Sequence, residues 1–204
     1  MDVTILDTSA QLVHCEVQDK NSTFTCWMTF GYGLNTSTEK MHLWDHWRQL
    51  GRGCHNPWVV LGYFNAILSH EDKLNGDPVM PQDLTDFQQC VDDIGVGPLP
   101  SKAHRYTWCN KRDGQERIYS HIDWALGNPS RFMKYNHIEA NFKEFRCYDN
   151  TPIMLCTDQT ILQVKRLFIL LNVVMQRDNF EEMTRSIWQQ YVRGLRCSIY
   201  GRSY

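Results

Sequence analysis

Three short segments hold the residues whose types and placing could do chemistry. Asn65 follows the unbroken apolar run Trp58-Val59-Val60-Leu61-Gly62-Tyr63-Phe64, just past the carboxyl end of a strand, where α/β sheets place ligand groups. Asp123 stands in His121-Ile122-Asp123-Trp124-Ala125-Leu126, an acid set amid apolar residues, shortly after Arg117-Ile118. Asp149 and Asn150 lie in Tyr148-Asp149-Asn150-Thr151-Pro152, leading into a further apolar stretch. Carboxylates at such places can hold a hard cation or take a proton, although each segment alone also reads as a turn or a cap. Other patterns carry less. Gly31-x-Gly33 and Gly95-x-Gly97 lack the third glycine of a phosphate-cradling loop, so both are ordinary turns. His42 and His46 stand four apart, but no Glu follows His42, and the pair reads as one side of a solvated helix.

Hydrophobic periodicity supplies the elements that must position these groups. Val13, Cys15 and Val17, then Phe24, Cys26, Met28 and Phe30, alternate over 11–17 and 23–30, which predicts an antiparallel strand pair. Thr36-Ser37-Thr38-Glu39 is a capping box that opens a helix. Met41, Trp44 and Trp47 share one stripe of that helix, Leu43 and Leu50 lie beside it, and Gly51-Arg52-Gly53 stops it. The run 58–64 predicts a central strand covered on both faces. Pro81 to Asp93 reads as a second helix with Leu84, Phe87, Val91 and Ile94 at helical spacing and Gly95 as its stop. Arg105–Asn110 and Glu116–Ser120 flank Asp113-Gly114, a hairpin signal, and Pro152–Thr157 predicts another strand. Around residue 160 the character changes. Val164–Met175 reads as one more strand, and Asp178 with Glu181 caps an amphipathic helix carrying Phe180, Met183, Ile187, Tyr191 and Leu195. The expectation is a layered α/β fold over 1–160, with 161–204 as a tail.

Composition narrows the function classes. Of 204 residues 42% are apolar and 12% aromatic, which excludes global disorder. Twenty-one basic against 23 acidic residues give a formal net charge of −2, unlike a strongly basic nucleic-acid binder. Nucleic-acid contact then needs a local patch, for which Lys111, Arg112 and Arg117, with Arg131 and Lys134, are the candidates. The 8 cysteines contain no C-x-x-C pair and lie in apolar runs, so reduced thiols of an intracellular protein are expected, cytoplasmic or nuclear and not secreted. The first ten residues have neither a basic n-region nor an apolar h-region, and Leu167–Met175 is too short to span a bilayer.

The order and spacing of the motifs resemble the endonuclease domain of plant LINE-type non-LTR retrotransposons, within the endonuclease/exonuclease/phosphatase superfamily and akin to apurinic/apyrimidinic endonucleases. The resemblance runs over about residues 11–195. It comprises Tyr32-Gly33-x-Asn35, Leu43-Trp44, the strand ending in Asn65, and Glu71-Asp72-Lys73. It continues through Asp86-Phe87-x-x-Cys90-Val91, Tyr106-Thr107-Trp108-Cys109-Asn110-Lys111-Arg112 and Ile122-Asp123-x-Ala125-Leu126. Asn179–Tyr191 looks like the connector toward a reverse transcriptase. The fold implied is a four-layer αββα sandwich, here partial and without its first strands. The chemistry implied is Mg²⁺-dependent phosphodiester hydrolysis, in which a cation neutralises the phosphate and a carboxylate helps make hydroxide.

Carried onto this chain, Asn65, Asp123, Asp149 and Tyr32 match positions of the family site. Two others are substituted. The motif Gly-Asp-Phe-Asn reads Gly62-Tyr63-Phe64-Asn65, and the motif Ser-Asp-His-Ser-Pro ends here as Asp149-Asn150-Thr151-Pro152. Tyr63 thus replaces the water-activating acid, and Asn150 the phosphate-binding histidine. Of the metal-binding positions Asp149 remains, a weak Mg²⁺ site with the principal Glu expected ahead of residue 1. The expected function is a degenerate, inactive copy. A weakly active Mg²⁺-dependent nicking enzyme and a recruited protein- or nucleic-acid-interaction module are the alternatives. Weak DNA binding through Lys111, Arg112 and Arg117 is expected. So is self-association or a protein partner over apolar faces left bare, with Trp58, Val60 and Phe64 losing part of their cover.

Overall fold

The computed structural model describes residues 1–21, 23–102, 105–143 and 151–157. The chain divides into two units, Met1–Leu167 and Phe168–Tyr204, and all described residues belong to the first. The strand expected over 164–175 and the helix expected from Asp178 lie outside the described residues.

Three strands open the chain, β1 (Asp2–Thr8), β2 (Leu12–Gln18) and β3 (Thr25–Tyr32), paired antiparallel in succession. Helix α1 (Ser37–Gly51) carries the chain over to β4 (Trp58–Tyr63), which lies parallel to β3. Next come β5 (Lys73–Leu74), α2 (Pro81–Asp93), β6 (Gly97–Pro98), β7 (Ser101–Lys102), β8 (Trp108–Cys109) and β9 (Tyr119–Ser120). The chain then forms β10 (Asp123–Gly127), α3 (Pro129–Lys134), β11 (Glu139–Phe142) and β12 (Ile153–Cys156). The main sheet has the order β1-β2-β3-β4-β10-β6; two smaller sheets have the orders β12-β11-β7 and β5-β9-β8.

The sequence accounts for most of these elements. Thr36 caps α1 as expected: its Oγ1 accepts the Glu39 N–H at 3.3 Å, and Glu39 returns a carboxylate oxygen to the Thr36 N–H. β4 is buried along Trp58–Leu61, as a central strand flanked by a parallel and an antiparallel neighbour must be. The 105–120 segment does form a hairpin of β8 and β9, with a wider loop than the two-residue turn that Asp113-Gly114 suggested. Asn110 stitches that loop, accepting the N–H groups of Arg112 and Ile118 and donating to the Glu116 carbonyl. α3 is an addition that periodicity did not announce. Its signal was local, an Asn128 cap with Pro129 in the first turn. Asn128 Oδ1 accepts the N–H of Arg131 and of Trp58, each at 3.0 Å, so one side chain caps the helix and ties it to β4.

Helices α1 and α2 cover one face of the main sheet through an aromatic core. Trp44, Trp47, Phe64, Phe87 and Trp124 meet there, with Trp58, Val60 and Leu126 beneath. The Phe87 ring lies 4.8 Å from Trp44, 5.8 Å from Phe64 and 6.1 Å from Trp124, while Trp47 meets Phe64 edge-on at 4.6 Å. The expectation that Trp58, Val60 and Phe64 lose cover is overturned. They are 1%, 0% and 0% exposed because this helix layer closes over them. The bare apolar surface lies elsewhere, on the opposite face toward the β1 edge, where Val3, Ile5, Val13, Phe30 and Tyr32 are exposed.

Candidate functional site

Strand register brings three of the expected residues together. Tyr32 on β3 lies beside Tyr63 on β4, and Tyr63 lies opposite Asp123 on β10. Their side chains share the sheet face away from α1 and α2, because on the adjacent positions Gly31 abuts Phe64 and Trp47 and Trp124 belongs to the core under those helices. The result is one rung, Tyr32–Tyr63–Asp123, at the end of the three central strands. The phenol rings stack at 5.3 Å with an interplanar angle of 27°. Tyr32 is 55% exposed at the open end of the rung, whereas Asp123 is only 4% exposed at the other.

Thr107 fixes the backbone that carries Asp123. It is fully buried, and its Oγ1 accepts the N–H groups of Ile122 and Asp123, each at 3.0 Å. Its carbonyl accepts the Thr151 hydroxyl at 2.9 Å, so the segment entering β12 is tied to the same point. The sequence offered Thr107 only as one residue of a hairpin motif, since nothing local marks a buried threonine as a staple.

Asn65 occupies the turn beyond β4 in a left-handed conformation, φ 48°, which Asn tolerates better than most residues. Its side-chain amide donates to Asn35 Oδ1 at 3.1 Å, joining the turns that follow β3 and β4. Its carbonyl accepts the Lys40 ammonium at 3.0 Å. The two turns press closely: Gly33 N–H donates to the Tyr63 carbonyl at 2.6 Å, and a Cβ on Gly33 would collide with the Phe64 carbonyl. Only glycine fits there.

Beside the rung, His121 donates from Nδ1 to the Arg105 carbonyl at 2.6 Å and packs edge-on against Trp124 at 4.2 Å. Burial holds its imidazole below the usual histidine range, only partly offset by the bond to Arg105 and the nearby Asp72. Six described cysteines are free thiols, and burial pushes Cys26 and Cys90 up to about 12, which keeps them inert.

The candidate basic patch divides. Lys111 and Arg112 are exposed on the hairpin loop, with Lys111 at φ 56°. Arg117 folds back, donating from Nε to the Arg112 carbonyl at 2.6 Å and pairing with Asp113 at 3.4 Å. Arg131 is a correction: it is fully buried in α3 and donates to the Ile138 carbonyl, so it is a structural residue rather than a surface cation. Asp149 and Asn150 lie outside the described residues.

Within the described part, the rung does not fit a magnesium ion. It offers a single carboxylate, that carboxylate is buried, and its neighbours on the rung are phenols. Among the described residues no three His, Cys, Asp or Glu side chains converge as ion ligands. A polar cavity of about 540 Å³ opens on the helix side of the Asn65 turn and was not foreseen from the sequence.

No protein-family model matches the chain, and no curated protein matches it by sequence. Solved structures do match its fold. The endonuclease domain of TRAS1, a telomere-specific non-LTR retrotransposon, superposes with a TM-score of 0.59 at 12% identity, over 79% of this chain and 69% of that domain. AP endonuclease LMAP from Leishmania major superposes at 0.52 and 10% identity, over 73% of this chain and 55% of that enzyme. The chain thus has an α/β fold of the endonuclease/exonuclease/phosphatase type, and at its position 63 a tyrosine faces the one buried carboxylate of the rung.

Proposed function

We propose that this chain is a degenerate retrotransposon endonuclease, by descent a Mg²⁺-dependent DNA phosphodiesterase, that no longer cuts DNA. The nuclease-type fold supports the descent, and the motif series supports the narrower assignment to LINE-type elements. The rung supports the loss of activity. Hydroxide formation needs a base, and a phenol, ordinarily near pKa 10, is a poor one at neutral pH. Loss of general-base help costs about 10²–10⁴ in rate. Asn150 adds to this, because a carboxamide can neither carry a positive charge to the phosphate nor transfer a proton. Asp149 is the remaining family ligand for Mg²⁺, and a single carboxylate does not bind the ion productively. Weak, salt-sensitive DNA binding through Lys111, Arg112 and Arg117 is what remains.

Supercoiled plasmid incubated with the purified chain and Mg²⁺ tests this: no open circle should form above the buffer control, and EDTA-sensitive nicking would refute it. A second reading, a recruited interaction module, is favoured by the exposed face of Val3, Ile5, Val13, Phe30 and Tyr32. It expects self-association or a bound protein over that face. A monodisperse monomer by light scattering, with a sharp thermal transition, counts against it.

A further inference from the structure

The three strands that open the chain carry opposite chemistry on their two faces. Register sets Val3, Val17 and Cys26 in one row across β1, β2 and β3, then Ile5, Cys15 and Met28, then Thr8, Val13 and Phe30. No residue of these rows is charged. The other face of β1 and β2 holds Asp2, Thr4, Asp7, His14, Glu16 and Gln18, and Asp7 there meets His46 of α1 at 2.8 Å. The alternation thus turns the apolar side of the β1–β2 hairpin away from α1 and α2.

That apolar face is covered over one part only. Cys15, Val17, Cys26 and Met28 are buried. Tyr135, just past α3, closes the start of β3: its hydroxyl accepts the Thr25 N–H at 2.8 Å, and its ring lies 4.8 Å from Phe24. Toward β1 the cover ends among the described residues. Val3 and Ile5 are 60% and 64% exposed, and Val13, Phe30 and Tyr32 stand exposed beside them. An antiparallel sheet that meets water on one face turns polar residues to it, whereas here the wet face is the apolar one. These five side chains expose on the order of 500 Å², the size of a functional patch on a monomer.

The hairpin offers a partner two surfaces, the outer edge of β1 and this face. The edge is guarded. β1 ends the main sheet, and it carries a register shift between Ile5 and Asp7 with acids at Asp2 and Asp7, devices that keep an edge from pairing. The face has no such guard. Being uncharged, it meets its own copy with no like charges opposed, and no basic residue stands in its rows to favour an acidic partner or an anionic lipid surface. Two such patches pressed together bury about 1,000 Å² in all, the least area of a specific interface.

We propose that the chain forms a two-fold dimer through this face, the apolar side of β1–β3 in one copy packed on the same side of the other. Val3, Ile5, Val13 and Phe30 make the contact, with the two sheets stacked about 10 Å apart as in a β-sandwich. One patch serving both copies is what a two-fold interface requires. The dimer rests on the second reading above, the bare face as an interaction surface, and fixes its occupant as a second copy.

Sedimentation equilibrium of the full chain in EDTA, across micromolar concentrations, tests it. The mass should rise from 24.1 kDa toward twice that value with no larger species, and added sulfate should not weaken the association. Ile5→Lys and Phe30→Lys should each weaken it by about tenfold or more, because each carries an ammonium into a dry contact. Thr4→Lys, on the opposite face of β1, should leave it unchanged. If Phe30→Lys loses the circular-dichroism spectrum of the parent, Ile5→Lys at the exposed edge decides. Undiminished association of a folded Ile5→Lys chain overturns the proposal, and so does a monomer at every concentration. A monomer that takes up an apolar dye, with the uptake lost in Ile5→Lys, overturns the second copy but leaves the face open to another protein or a lipid. A monomer that takes up none overturns the second reading as well. With EDTA present, every outcome is independent of whether the chain can nick DNA.

Discussion

Tyr63 on β4 stands directly across the ladder from Asp123 on β10, and its other flank is stacked on Tyr32 at 5.3 Å. Replacing the phenol by a carboxylate therefore costs the aromatic pair and sets two acids opposite each other. Tyr63→Asp should lower stability by about 1–2 kcal/mol at pH 7, combining a lost ring pair with like charges across strands. Tyr63→Phe, which keeps the ring pair and adds no charge, should lose less. Urea unfolding of the three chains checks this, and a Tyr63→Asp chain as stable as the parent would show that the rung is not packed as described.

Acid should destabilise the fold well above the range of ordinary carboxylates. Burial holds His14 below the usual imidazole value, a depression that His46 reinforces and Asp7 partly offsets. The bonding agrees: Trp58 Nε1–H donates to Thr29 Oγ1, which can in turn donate its proton to His14 Nδ1, both at 2.8 Å. His121 is held low in the same way. A histidine whose folded pKa is depressed contributes stability that is present above about 6.5 and lost as pH falls through that value. The urea midpoint should drop between pH 7.5 and pH 5.5, and the His14 ring resonance should titrate below the free-imidazole value. A midpoint that rises toward pH 5.5 would contradict this.

Phe87 lies among Trp44, Trp47, Phe64 and Trp124, so Phe87→Ala opens a hole in the middle of the helix layer. A loss of about 3–5 kcal/mol is expected in chemical denaturation. A loss below 1 kcal/mol would mean that α2 is not seated on the sheet.

DNA binding, if carried by the hairpin, should report single phosphates. Lys111→Gln and Arg112→Gln should each weaken binding across sequences and reduce the slope of log affinity against log salt by about 1. Arg131→Lys should act on stability instead, because Arg131 is buried in α3. An unchanged salt slope in both hairpin variants would move the contact elsewhere.

The sequence disclosed those elements whose periodicity is long or whose punctuation is strong. The capping box of α1, the Pro81–Asp93 helix, the alternation of β2 and β3 and the covered run of β4 all stand where their residues placed them. β1 was not announced by the sequence: its Val3 and Ile5 are exposed at a sheet edge, so no buried face marks the segment. α3 has one and a half turns, too few for a period to show. The site was legible as residue types and not as a geometry. That Tyr32, Tyr63 and Asp123 share a rung depends on β3 and β10 lying on either side of β4, a pairing between segments some ninety residues apart in sequence. The cavity beside the Asn65 turn depends on several elements meeting and had no local mark.

The most direct measurement is plasmid nicking by the unmodified chain in Mg²⁺, over a wide range of protein concentration. Supercoiled substrate should persist at the level of the buffer control. Open circle that grows with protein concentration and vanishes with EDTA would contradict the account, since a working hydroxide-forming centre would then have to exist despite Tyr63.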